Sequence, residues 1–187
     1  MLAYVFWHWP REGVGATEYE RAQRRFHDAL AAAPPPAFAR SQSWALHGAP
    51  WAANGADAYE DWYLTDGSAA LDPLNHAAIR ASMAAPHDAA AALAAGGAAG
   101  LYVLRAGAPV TAPRHAAWFA KPSGMSYGAL DAALAPVVAA PDVALWMRFM
   151  VLGPTPEFCL HSRAPLRLPP PCVATAFELR GVWPSGR

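Results

Sequence analysis

Lysine is almost absent from this chain. Of its fourteen basic residues thirteen are arginine and one is Lys121, and fourteen acidic residues cancel them to a net charge of zero. A protein that grips duplex nucleic acid needs a surplus of cations to neutralise phosphates, so no nucleic-acid partner is expected. Cysteine is nearly missing too: Cys159 and Cys172 are too few for a disulfide framework and lack metal-ligand spacing, so both are expected reduced and semi-buried. There is no long hydrophobic run. The longest uncharged stretch, Ala89–Leu104, is mostly Ala and Gly and falls short of the roughly 20 residues a membrane span requires. The apolar start Leu2–Trp9 contains His8 and precedes the first basic residue, Arg11, which is the reverse of a signal peptide. A cytoplasmic protein without a membrane partner is the expectation. Several chemistries are also unsupported. No H-E-x-x-H pair occurs, Gly13-Val14-Gly15 and Gly96-Gly97 lack the spacing of phosphate or dinucleotide loops, and there is no G-x-S-x-G elbow.

What the chain does have is bulk. It is 187 residues long, 55% hydrophobic and only 15% charged, enough to bury a real core and far from a disordered composition. Met1–Trp9 alternates, with Tyr4, Phe6 and His8 on one face and Ala3, Val5, Trp7 and Trp9 on the other. Both faces are bulky, which predicts a strand covered on both sides. Thr17 with Glu20 reads as a capping box opening a helix whose apolar stripe is Tyr19, Ala22, Phe26, Ala29, Leu30 and Ala33. Pro34–Pro36 ends it. Strands are expected at Phe38–His47 and Tyr59–Thr65, with a turn-rich connection at Gly48–Asp57. Asp72-Pro73 opens a second helix that breaks at Pro86, resumes through the alanine run and ends at Gly96-Gly97. A strand at Gly100–Arg105 completes β-α-β-β-α-β, the split βαβ or ferredoxin-like order.

The second half repeats the first. Placing Pro122 on Pro10 lays Trp118-Phe119-Ala120-Lys121 over Phe6-Trp7-His8-Trp9, and Tyr127 falls near the helix start that Tyr19 marks. The expected organisation is two tandem ferredoxin-like units, residues 1–108 and 109–187, with antiparallel sheets packed as an α+β barrel. In place of a second helix the second unit has Arg163–Pro171, whose four prolines forbid one. One face of its sheet would then need cover from the first unit or from a second copy of the chain, so a homodimer is expected.

This element order resembles the dimeric α+β barrel superfamily, in which two ferredoxin-like sheets pack together between chains or between halves of one chain. The segment Tyr59-Glu60-Asp61-Trp62-Tyr63-Leu64, followed by Ala70-Leu71 and the Leu74–Ile79 helix, is similar in style to its EthD-like group, alongside NIPSNAP-like and stress-responsive members. The resemblance implies a small-molecule enzyme acting on an apolar or aromatic metabolite in the barrel cavity. Oxygenation, isomerisation or cyclisation without a tightly bound metal or other cofactor are the implied reactions. The alternatives are a non-catalytic ligand-binding or stress-associated barrel, and a haem-binding barrel with His8 or His76 as axial ligand.

Within that frame His8 is the candidate general base, present in one half and matched by Ala120 in the other. His76 and Tyr63 complete the catalytic candidates, with Asp61 or Glu60 to orient a histidine. Phe6, Trp7, Trp9, Trp62 and Trp118 are the candidate ligand walls. Since side chains alternate along a strand, His8 and its flanking tryptophans cannot all face one space. His8 is expected to face the barrel interior, and the tryptophans to pack under the helices. His27 and His47 are read as surface residues.

Overall fold

A computed structural model of the chain describes residues 1–52 and 57–184. Its elements are β1 (Leu2–Pro10), α1 (Ala16–Ala32), β2 (Phe38–Leu46), β3 (Ala58–Thr65), α2 (Leu71–Ala78), α3 (Ala81–Leu93), β4 (Ala94–Gly107), β5 (His115–Phe119), α4 (Tyr127–Val138), β6 (Val143–Arg148), β7 (Phe158–Ser162), β8 (Ala174–Glu178) and β9 (Arg180–Trp183). Part of the Gly48–Asp57 connection, residues 53–56, lies outside the described residues.

The strands form one antiparallel sheet in the order β8-β5-β7-β6-β4-β1-β3-β2-β9. Within it, β4-β1-β3-β2 and β8-β5-β7-β6 have the same internal order, that of a ferredoxin-like unit, once for each half of the chain. The halves join twice, in the same manner. β4 runs on past β1 to pair Tyr102–Gly107 with β6, and the chain beyond β8 continues after Leu179 as β9 to pair with β2. Since β8 and β9 are separated by Leu179 alone, the two edges of the sheet come together and the architecture is an α+β barrel.

Register decides what each face carries. Across β1, β3 and β4, Trp7 pairs with Glu60 and Ala98, whereas His8 pairs with Tyr59 and Gly97, and Phe6 with Asp61 and Ala99. Directly paired residues share a face. Trp7, Glu60 and Trp62 therefore belong to the barrel interior, and Phe6, His8, Tyr59, Asp61 and Tyr63 to the outer face beneath the helices. The interior is packed by Trp7, Trp44, Trp62, Trp118, Trp146 and Tyr102, all buried, with ring centroids 5.1–6.4 Å apart in the contacting pairs. Glu60 lies among them and accepts from Trp7 Nε1 and Trp62 Nε1, each at 2.6 Å. The expected orientation of β1 is thus reversed. The tryptophans line the interior and His8 packs under the helices.

The same ladders correct the overlay of the two halves. Trp44 pairs with Glu60 as Trp146 pairs with Cys159, and Trp7 pairs with Glu60 as Trp118 pairs with Cys159. Trp118 is therefore the counterpart of Trp7, one residue away from the sequence overlay, and His8 is matched by Phe119 rather than Ala120. A one-residue slip moves every side chain to the other face.

Other departures have local causes. α1 begins at Ala16 after Gly15 with no side-chain cap, because Glu20 is occupied by Arg24, Tyr59 and Arg180. Gly96 and Gly97 do not end a helix but lie within β4, opposite Trp9 and His8. A Cβ on Gly97 would come within 2.6 Å of the Phe6 ring and 2.7 Å of the Trp7 carbonyl, so only glycine fits there. Part of the cover over the outer face of the second half comes from its own chain. Leu166, Leu168 and Cys172 of the proline-rich stretch and its surroundings join α4 over Phe119, Leu145, Phe158 and Leu160.

Cys159 is buried in the interior and Cys172 is half-buried on the outer side; neither is in a disulfide. Burial pushes the Cys159 thiol well above its ordinary range, reinforced by the nearby Glu60 charge. A thiol-reactive probe is expected to label Cys172 in the native protein, and Cys159 only once the protein is unfolded. Rapid native labelling of both thiols would contradict a packed interior. Among the described residues no helix is long and apolar enough to cross a membrane.

Candidate functional site

β4 enters the sheet as Ala94-Ala95-Gly96-Gly97-Ala98-Ala99-Gly100, with no side chain larger than a methyl group. Over that low floor the helices cannot close onto the sheet. A cavity of about 830 Å³ remains between the first half's sheet and α1, α2 and α3. Its walls are mainly apolar: Phe6, Phe26, Leu30, Leu71, Leu74 and Leu101 among them. Polar groups are drawn from β1 (Tyr4, His8), α1 (Tyr19, Gln23), β3 (Asp61, Tyr63), α2 (Asn75) and α3 (His87).

Asp61 is the centre of that polar cluster. It is 1% exposed, and its Oδ2 lies 3.2 Å from His8 Nε2, 3.2 Å from His27 Nε2 and 3.0 Å from the Tyr63 hydroxyl, which donates to it. The two imidazole contacts are at ion-pair distance but off the line of a well-aligned hydrogen bond, and Oδ1 has no partner. The other nitrogens are also engaged. His8 Nδ1 is 2.7 Å from the Tyr19 hydroxyl, and His27 Nδ1 is 2.8 Å from Ser41 Oγ. A carboxylate only accepts, so in the neutral rings Nε2 carries the hydrogen and Nδ1 accepts from Tyr19 and Ser41. The result is a chain Tyr19–His8–Asp61–His27–Ser41 crossing from the cavity into the protein.

The electrostatics follow from burial. Burial alone would raise the Asp61 carboxyl, but the adjacent His27 and His8 outweigh it and hold the group well below the usual carboxylate range. Burial, reinforced by the Asp61 charge, raises the hydroxyls of Tyr63, Tyr19 and Tyr4, so these stay protonated and able to donate. Tyr59, stacked on His8 at 5.7 Å, is pushed up to about 12 by burial and by Glu20.

The structure brings together only some of the residues named from sequence. His8, Tyr63 and Phe6 line the cavity, and Asp61 reaches His8. Trp7, Trp62 and Trp118 lie in the barrel interior, and Trp9 packs against the same cluster beside Gly96. His76 is exposed on α2, its Nδ1 2.9 Å from the Asp72 carbonyl, and α2 reaches the cavity through Leu71, Leu74, Asn75 and Ala78 instead. His27 is fully buried, not a surface residue, while His47 is exposed as expected. Tyr19, Gln23 and His27 are the residues the sequence reading missed. Their spacing of four places them in one line down α1 that starts at Tyr19 of the apolar stripe, and that line was the available signal.

The second half has no equivalent site. At the places of His8, Tyr59 and Asp61 the ladders put Phe119, Phe158 and Leu160, so its outer face is ordinary apolar core. Among the described residues no group of three or more His, Cys, Asp and Glu side chains is arranged to hold a metal ion. Of the two histidines considered for haem, His8 lines the cavity with its Nδ1 bonded to Tyr19 and its Nε2 3.2 Å from Asp61 Oδ2, and His76 is outside the lining.

By its topology the chain is an α+β barrel of the kind built from two ferredoxin-like sheets. No family model matches it, and no curated protein matches its sequence. Solved structures similar to it include an anthrone oxidase-like protein, at 8% identity and a TM-score of 0.49, covering 97% of this chain and 93% of that one. Another is a candidate chlorite dismutase, at 10% identity and a TM-score of 0.46, covering 96% and 95%. At such identities the likeness concerns the fold.

Proposed function

We propose that the protein binds an apolar or aromatic small molecule in the cavity of its first half and moves a proton on it through Tyr19 and His8. The observation that carries this reading is a largely apolar cavity of about 830 Å³ in which Tyr63, His8 and, through His8, Tyr19 are joined to one buried carboxylate. Hydroxyl, imidazole and carboxylate stand in sequence, as a proton relay requires. An acidic hydrogen of the ligand passes to the Tyr19 oxygen while the Tyr19 hydrogen passes to His8 Nδ1. The ligand is left as the conjugate base and His8 as an imidazolium beside the Asp61 carboxylate. Return of the proton at another position of the ligand would complete an isomerisation. The raised Tyr19 hydroxyl suits this, since no standing phenolate is needed.

A tetralone, an aromatic ketone with exchangeable C–H hydrogens beside its carbonyl, tests the reading. The protein is expected to accelerate exchange of those hydrogens for solvent deuterium. Tyr19→Phe should slow that exchange about 100-fold or more while the ketone still binds. Binding with no acceleration over buffer would reduce the site to a holding role.

A further inference from the structure

Gln23 is a buried polar residue of the cavity that the proton relay leaves unused. It stands on α1 one turn after Tyr19 and one turn before His27, and side chains four apart on a helix are neighbours, with about 5–6 Å between their Cβ atoms. Only 5% of Gln23 is exposed, and among the described residues no group closes on its amide with the geometry of a hydrogen bond. A buried amide without a partner is costly. In contrast to Asp61 Oδ1, which is sealed from water, neither polar atom of the Gln23 amide is shut away. The space it meets is the cavity, which Gln23 lines.

The Tyr19 hydroxyl shows which end of the amide lies beside it. Burial, Asp61 and Tyr59 push that hydroxyl up, and Gln23 pulls the other way. An amide favours an ionised oxygen only by turning an N–H toward it. The amide nitrogen is therefore on the Tyr19 side, and it carries two hydrogens, so a second N–H remains for an occupant. What accepts from it is an oxygen, and charge narrows the kind. Among the residues lining the cavity there is no Lys or Arg, and the one acidic side chain is Asp61. A carboxylate or phosphate would bring a full negative charge into a mostly apolar space with no lysine or arginine to pair it, whereas a ketone oxygen enters neutral.

We infer that Gln23 receives the carbonyl group of an uncharged, enolisable ketone: its free N–H donates to the ketone oxygen and holds the negative charge that gathers there as the adjacent C–H gives up its proton to Tyr19. The inference rests on the proton relay proposed above and adds the group that meets the substrate's oxygen. In the step, the C–H bond breaks and its proton goes to the Tyr19 oxygen while the Tyr19 hydrogen passes to His8 Nδ1. The C–H electron pair becomes the carbon–carbon double bond of an enolate, and the carbonyl pair moves onto the oxygen. Nothing is oxidised or reduced. A donor fixed in place before that charge appears stabilises the transition state more than the neutral ketone. In the substrate, the acidic hydrogen and the carbonyl oxygen are carried on adjacent carbons, so two neighbouring side chains of one helix serve both.

Two measurements with tetralone test this: the infrared stretch of the bound ketone, isotope-labelled at its carbonyl, and kcat and KM for hydrogen exchange. Gln23→Met keeps the reach of the side chain and removes the donor. Bound to the wild type, the carbonyl is expected to stretch at lower frequency than in an apolar solvent, and Gln23→Met should return it toward the solvent value. The kcat for exchange should fall about 100-fold in Gln23→Met, the usual loss for one donor to a developing oxyanion, with KM changed by less than about tenfold. Tyr19→Phe should lose exchange and keep the lowered stretch. A stretch in the wild type at the apolar-solvent frequency would overturn the inference without any variant, so the test stands even if Gln23→Met fails to fold. The same stretch in the wild type and Gln23→Met, or a Gln23→Met kcat close to that of the wild type, would also overturn it. Each of these results leaves the relay standing. If the wild type does not bind tetralone, or binds it without accelerating exchange, the relay falls and the inference with it.

Discussion

Replacing Trp62 by alanine is expected to be among the most damaging single changes to this protein, costing about 3–5 kcal/mol of stability. Trp62 stands at the middle of the barrel interior. Its ring centroid is 4.4 Å from His161, 5.1 Å from Trp146, 6.0 Å from Tyr102 and 6.2 Å from Trp118, and its indole nitrogen donates to Glu60 at 2.6 Å. Alanine would leave a hole that rings of both halves line, and would take from buried Glu60 one of its two indole donors. For a chain of this length such a loss lowers the thermal midpoint by on the order of 10 °C. Trp62→Phe keeps much of the packing and should lose less. Denaturant unfolding of both variants checks this. Had Trp62 been a ligand wall, as the sequence suggested, alanine there would weaken ligand binding and leave the midpoint nearly unchanged.

Asp61→Asn is expected to destabilise the protein by about 3–5 kcal/mol at neutral pH, because it leaves a buried cluster without its central charge. It should also change how stability depends on acid. The folded-state carboxyl is held below its ordinary value of 3.8. It therefore contributes stability that is fully present above about pH 4 and is lost as pH falls toward the folded value. The asparagine variant cannot lose what it lacks. Urea unfolding at pH 7 and again near pH 3 should show a wide gap between wild type and variant at the first and a narrower one at the second. Glu20, whose carboxyl is also lowered, titrates alike in both proteins and cancels from the comparison. A gap that stays constant with pH would mean Asp61 is neutral in the folded protein, and the proton relay through His8 would then lack its counter-charge.

Much of the architecture was legible in the sequence. The order β-α-β-β-α-β follows from period-two and 3.6-residue patterns, and the bulky alternation of Leu2–Trp9 foretold a strand buried on both faces. Two neighbouring acids, Glu60 and Asp61, could be read as lying on opposite faces of a strand. Their separate networks, tryptophan N–H groups for one and imidazoles for the other, could not be read. The Gly96-Gly97 pair was misread as a helix end because its reason for being glycine, the Phe6 ring and the Trp7 carbonyl crowding Gly97, comes from another strand. His27 was misread because one helix turn does not reveal which partner faces it.

By itself the sequence determined the β-α-β-β-α-β order of the first half and the absence of a helix over Arg163–Pro171, since these depend on local periodicity and on proline's missing N–H. Tertiary structure alone decided which face of β1 turns inward. Alternation defines two faces but labels neither, and here both are bulky. The label comes from closure of the sheet, through β4 on β6 and β9 on β2, which gathers the tryptophans of both halves into one interior. The opposite face is thereby left to the helices, and there His8, Tyr19, His27 and Asp61, from three separate elements, meet around one carboxylate beside the space that the small residues of β4 leave open.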